Sequence, residues 1–212
     1  GVQPDLGTGL LICAAGLLVI LLAGVPWRYV FSVMALAVMA APALWFVMRD
    51  YQRQRVLMLF NPESDPLGSG WNIIQSKTAI GSGGLFGKGL FQGTQSHLDF
   101  LPESQTDFII AVLAEELGLI GVLALLALYI LLAARGVVMA VEAQDTFGRL
   151  LSGSIVFTFF VYVFVNIGMV SGILPVVGVP LPLVSFGGTS ILTLFAGFGI
   201  LMSIHSHRRI TL

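Results

Sequence analysis

Apolar residues in this chain come in long unbroken runs, and five of the runs reach the roughly 20 residues that a membrane-spanning helix requires. They cover 6–24, 27–48, 108–134, 150–170 and 188–204. The first closes on Gly24-Val25-Pro26, a helix-stop sequence. The second contains Pro42, which predicts a kink. A helix satisfies its own backbone, as hydrocarbon demands. The predicted fold class is therefore all-α and polytopic: about five transmembrane helices, with two helices in 1–48, a long extracytoplasmic loop in 49–107 and three helices in 108–212. No internal repeat or low-complexity tract interrupts this plan.

One connection breaks the pattern. Residues 171–187, SGILPVVGVPLPLVSFG, are too apolar for a water-exposed loop and too rich in proline and glycine for a plain helix. Irregular backbone at membrane depth survives only when protein covers it or it lines a wet cavity. The segment reads as re-entrant or cavity-lining; the alternative is a hydrophobic loop packed on the membrane surface.

Composition sharpens the class. Of 212 residues, 57% are hydrophobic and only 10% charged, against about 25% charged in soluble domains. The net charge of −1 gives no electrostatic reason to expect a nucleic-acid partner. A single cysteine, Cys13, excludes an internal disulfide and reads as a small packing residue. The opening at Gly1 and the lack of a signal-peptide pattern suggest part of a longer protein with earlier spans. Arg28, Arg135, Arg149, Arg208 and Arg209 fall on one side of the five spans, in short loops and a tail. Positive-inside bias is carried by such short loops, so that side and the C-terminus are expected to be cytoplasmic. Arg49, Arg53, Arg55, Lys77 and Lys88 fall on the other side and need another reason to be there.

The long loop holds most of the polar chemistry. Arg49, Arg53 and Arg55 stand at helical spacing, continuing the second span into water. Residues 71–80 mix apolar and polar positions in the manner of a short amphipathic helix at the interface. Gly81-Ser82-Gly83-Gly84 and Gly87-Lys88-Gly89 follow, a mobile backbone with exposed amides and an ammonium. Such groups suit a phosphate; the plainer reading is a flexible surface loop with a solvated lysine.

Asp99, Glu103 and Asp107 precede the third long span, and Glu115 and Glu116 lie within it. An unpaired ionisable group at bilayer depth costs roughly 2.5–3.5 kcal/mol or more, so neither glutamate is expected to face lipid. Glu115 turns roughly 80° from Asp107 about a helix axis and Glu116 about 180°, which allows Asp107 and Glu115 one cavity and sends Glu116 elsewhere. Asp107 has a structural reading as well. Ser104-Gln105-Thr106-Asp107 matches a capping box, with Asp107 at the third helical position, where a lowered pKa works against a strong general base.

These strings resemble the SEDS family of shape, elongation, division and sporulation proteins. The resemblance rests on QPDLGT at 3–8, FNPESDPLGSGWNIIQSK at 60–77, AIGSGGLFGKG at 79–89, FLPESQTDF at 100–108, AEELG at 114–118, GILPVVGVPLPLVSFGG at 172–188 and HSHRR at 205–209. It favours the elongation branch, because division-type members typically carry lysine where Val177 stands. The resemblance implies about ten spans in the whole protein, of which these are the last five. It further implies a peptidoglycan glycosyltransferase in the bacterial cytoplasmic membrane that polymerises lipid II outside it, with undecaprenyl diphosphate leaving.

By the same resemblance Asp107 is the catalytic residue. Lys77, Lys88, Arg49, Arg53, Arg55, Asp99, Glu103, Glu115 and Ser185 are the candidate substrate-binding residues. No cofactor is certain; a divalent cation, Mg or Mn, fits Asp107 and Glu103 as hard oxygen ligands. Expected partners are lipid II, a class B penicillin-binding protein transpeptidase and other elongation-complex membrane proteins. Two other functions suit parts of the pattern: a lipid II flippase or transporter, and a structural scaffold for the transpeptidase. A transporter would place its decisive acids near the bilayer midplane; a scaffold would tolerate loss of Asp107.

Overall fold

A computed structural model describes residues 6–48, 52, 53, 57, 69–94 and 105–206. Six helices occur among them: α1 (Leu6–Leu22), α2 (Trp27–Val47), α3 (Ser69–Gly83), α4 (Ile109–Val141), α5 (Thr146–Val170) and α6 (Gly188–Ser206). The five expected spans all form as helices. Three of them, α4, α5 and α6, are long and apolar enough to cross a membrane, while α1 and α2 carry the shorter apolar helical stretches Ile12–Leu22 and Trp27–Ala40. The chain is a multi-pass membrane protein of the predicted class.

Helix α2 carries Pro42 inside its length, and α4 is broken at Gly118, with φ 68° and ψ −168°. That backbone region is essentially reserved for glycine. Past the break, residues 119–141 measure about 34 Å at 1.5 Å per residue, close to the roughly 30 Å of hydrocarbon. Residues 109–117 thus form a separate short helical stretch at one end of the bundle, and Glu115 lies near that end of α4, before the break. Cys13 is exposed on α1 rather than packed in a core.

Helices α4 and α5 form the centre, with α1 on α5, α6 across both, and α3 laid over one end. The core gathers at that end: Ala79, Phe108, Ile110, Ala111, Phe159, Val163, Met169, Val170 and Leu181 are buried together with Tyr129. Edge-to-face rings tie the three long helices, Tyr129 to Phe159 at 5.8 Å and Phe159 to Phe198 at 5.6 Å between centroids. At the opposite end Asp145 caps α5 by accepting from the Gly148 amide at 2.7 Å, the favourable use of a carboxylate at a helix N-terminus. His205, near the end of α6, lies 3.5 Å from Glu142 at the α4–α5 turn.

The expected amphipathic helix is α3. Its buried positions, Gly70, Ile73, Ser76, Ala79 and Gly83, make one stripe, and that stripe rests on protein, against α4 and α5. Ser76 Oγ donates to the carbonyl of Val170 at 2.9 Å, fastening α3 to the end of α5.

Candidate functional site

Between α5 and α6 the backbone of 171–187 has no helix or strand, and it is buried in protein at its centre, with Val179 and Leu181 3% and 1% exposed. Its polar groups are met by side chains from the helices. Tyr129 Oη donates to the Pro182 carbonyl at 2.6 Å. Tyr129 lies about 15 Å along α4 from Leu119, and its side chain leans back toward the helix N-terminus. The segment therefore dips below the top of the span, as a re-entrant element does. Asn166 of α5 donates through Nδ2 to the Val179 carbonyl at 2.6 Å and to the Asp107 carbonyl at 2.8 Å. One buried amide thus joins the segment to Asp107, two positions before α4. Its Oδ1 is buried and has no hydrogen-bond donor in reach among the described residues.

Asp107 occupies the turn 105–108, ahead of the first helical residue Ile109. The N-cap is Phe108, which has no side-chain capping bond. The capping-box expectation is therefore corrected: Asp107 precedes the helix by two positions, and Ser104 lies outside the described residues. Phe108, only 2% exposed, is sunk into the core and pins the turn. Ser185 Oγ donates to the Thr106 carbonyl at 2.5 Å and accepts from the Leu181 amide at 2.7 Å, while the Phe186 amide donates to the Gln105 carbonyl at 2.9 Å. The chain around Asp107 is thus held from three directions, and its side chain is left half-buried.

The re-entrant segment passes beneath two of the candidate charges. A Cβ at Gly178 would stand 3.3 Å from Asp107 Oδ2, and one at Gly172, where φ is 70°, would collide with Cε and Nζ of Lys77. Glycine at these two places lets the acid and the exposed lysine of α3 rest against one stretch of backbone. Gly178 also lines a cavity of about 540 Å³ between α5, the segment and α6, whose walls include Thr158, Tyr162, Thr189 and Ser190.

The glycine-rich turn after α3 behaves differently from expectation. Its amides are used within the protein: Gly87 N to Gly83 O at 2.8 Å, Lys88 N to Glu115 O at 2.9 Å and Gly89 N to Glu116 O at 3.0 Å. Lys88 Nζ stands 2.7 Å from Glu115 Oε1, which also accepts from the Thr94 amide at 2.8 Å and the Thr94 hydroxyl at 2.9 Å. Glu115 is fully buried. A charged carboxylate is tolerable there because an ammonium and two further donors surround it. The turn can come this close only because Gly87 and Gly118 lack side chains; a methyl on either would overlap the other segment's backbone.

Three of the expected substrate contacts are engaged within the protein. Lys88 and Glu115 face each other, and Ser185 directs its hydroxyl proton and one lone pair to the chain. Arg53 donates through Nη2 to the Phe46 carbonyl at 2.9 Å, at the C-terminal end of α2, where a cation complements the helix dipole. Arg49, Arg55, Asp99 and Glu103 lie outside the described residues. Among the described residues, no group of three or more His, Cys, Asp or Glu side chains is placed to hold a metal ion.

Sequence reasoning missed Asn166 and Thr94. The signal for Asn166 was present: an amide in the apolar run FVYVFVNIGMV needs an internal partner in a membrane. Nothing local marks Thr94, whose role depends on a fold-back across α4.

Comparison with known proteins places this geometry. The family described as cell cycle protein, FTSW_RODA_SPOVE, matches residues 2–210. The peptidoglycan glycosyltransferase MrdB of Escherichia coli K12 is 64% identical over 208 residues, which is 98% of this chain and 56% of that protein. The peptidoglycan glycosyltransferase RodA of Treponema pallidum is 43% identical over 162 residues, 76% of this chain and 37% of that one. A solved chain from a peptidoglycan synthase complex, described for its coordination of polymerization and crosslinking, superposes with a TM-score of 0.82 at 34% identity, covering 98% of this chain and 57% of its own. The chain spans about half the length of the Escherichia coli relative, and less of the Treponema one.

Proposed function

The chain belongs to the FTSW_RODA_SPOVE family of cell cycle proteins, and from that membership we propose that it carries the catalytic carboxylate of a RodA-type peptidoglycan glycosyltransferase. The substrate is lipid II. The 4-hydroxyl of the acceptor GlcNAc attacks the anomeric carbon of the donor MurNAc with inversion; the bond to the undecaprenyl diphosphate breaks, and Asp107 receives or orients the hydroxyl proton. Lys77 stabilises the diphosphate charge as it develops, and Arg49 and Arg55 share that work. A divalent cation, Mg or Mn, would be held by Asp107 and Glu103 and would neutralise diphosphate oxygens. The loop that bears Asp107 faces outward from the bacterial inner membrane and the C-terminus faces the cytoplasm. A class B penicillin-binding protein transpeptidase is the working partner.

The observation that carries this reading is the position of Asp107. It is half-buried outside the helix it was expected to cap, fixed through its backbone by Asn166, with its carboxylate against Gly178. A capping box would have placed Asp107 at the third helical position, and it stands instead two positions before the helix. A transporter would need a mobile broken helix, whereas 171–187 is tied by Tyr129, Asn166 and Ser185 at once.

Full-length protein with its transpeptidase, supplied with labelled lipid II, tests the proposal. Asp107→Asn and Asp107→Ala should give no detectable glycan polymer while inserting into membranes normally. Wild-type polymerisation by either variant would return Asp107 to a structural role and leave the scaffold reading standing.

A further inference from the structure

The turn at 84–91 presents four large apolar side chains outward: Leu85, Phe86, Leu90 and Phe91 are 60%, 80%, 63% and 80% exposed. Its one charge, Lys88, turns inward to Glu115, so the outer surface of the turn is almost wholly apolar. A cluster of this kind in water marks an interaction surface.

Its place in the fold indicates the occupant. The turn's carbonyls at Gly84 and Leu85 accept from the amides of Leu119 and Ile120 at 3.0 and 3.2 Å. Those two residues begin the spanning stretch of α4, and with Leu123 they are themselves about half exposed. The apolar tip is therefore continuous with the exposed apolar side of α4, at the end where its long apolar stretch begins. Phe91 supplies an independent sign. It sits at φ 61°, a conformation costing a bulky residue about 1–2 kcal/mol, and its largely exposed ring gains little from packing among the described residues. Lipid would supply the compensating burial, as it does for the apolar faces of interfacial elements.

We propose that residues 84–91 form a membrane-inserted tip, seated in the acyl–headgroup boundary of the phospholipid leaflet at the Asp107 end. It holds the Lys88–Glu115 crossing, and with it the short helix after Asp107, at a fixed depth. The inference needs only the membrane-spanning fold and stands whether or not Asp107 is catalytic.

Depth-dependent fluorescence tests it. The full-length protein, with Cys13 and any other cysteine replaced, would carry Phe86→Cys or, separately, Phe91→Cys or Leu90→Cys, each labelled with NBD. Each is reconstituted into phosphatidylethanolamine–phosphatidylglycerol vesicles with and without lipids bearing a nitroxide near the top of the acyl chain. The expected result is blue-shifted emission and quenching by about twofold or more from the shallow nitroxide at two or more sites. Water-like emission without quenching would overturn the proposal. So would blue-shifted emission that the nitroxide lipid leaves unquenched, which would assign the surface to the rest of the chain or to another protein's helix.

Discussion

Two irregular stretches meet at the Asp107 end, and they are stabilised by opposite means. The turn 84–94 crosses the short helix 109–117 through a charged cluster: Lys88, Thr94 and the buried Glu115. The segment 171–187 enters the span with no charge among its residues, and neutral groups from the helices, Tyr129 and Asn166, donate to its carbonyls. The difference follows depth. At the rim, a carboxylate can keep its charge if several donors face it and water is near. Deeper down, charge costs more, and a hydroxyl or amide donor satisfies a carbonyl without it. Loss of one partner should therefore hurt the rim through a stranded charge and the re-entrant segment through a stranded carbonyl.

The largest effect is expected from Gly118→Ala, which strains a glycine-only conformation and drives a methyl into the Gly87 amide. A loss of about 3 kcal/mol or more follows from those two costs, visible as a collapse of the thermal unfolding midpoint of the full-length protein in detergent. Lys88→Met takes the cation from Glu115, leaving it neutral donors such as those of Thr94 and Ser82, and should cost about 2–3 kcal/mol, less than a fully buried pair would because Lys88 is 30% exposed. Adding Glu115→Leu to that variant should recover much of the loss; a double variant worse than Lys88→Met would mean the pair is not what holds the crossing.

Asn166→Leu removes the donor to two carbonyls and should cost about 2 kcal/mol, with no dependence on salt, in contrast to Lys88→Met. It should also lower kcat, since one of those carbonyls belongs to Asp107; a change in KM alone would separate the amide from the acid. Tyr129→Phe, at the deepest contact, loses a single hydrogen bond and should cost about 1 kcal/mol. If it cost more than Lys88→Met, the depth argument would fail.

The helices were legible in the run of apolar residues because their cause is local. Twenty such residues in a row need no partner to declare a span, and the observed ends of α1, α2, α5 and α6 fall within a few residues of the predicted ones. The apolar, proline-rich 171–187 announced its irregularity and burial by composition. Asp107 was legible as a candidate only by resemblance, since its pattern equally matched a helix cap.

Interactions between distant residues decided the rest. No local signal distinguishes Gly118 from Gly121 or Gly136 in the same helix, yet Gly118 breaks α4 because the turn at 84–89 needs its backbone there. Lys88 read as a free ammonium because Glu115 lies far along the chain; only the fold-back brings them to 2.7 Å. Likewise Ser185 and Asn166 became supports of the Asp107 turn through contacts 79 and 59 residues apart in sequence. Hydrophobicity summed over a window fixes which segments enter a membrane, whereas the pairing of a buried polar atom depends on what the folded chain sets within about 3 Å of it.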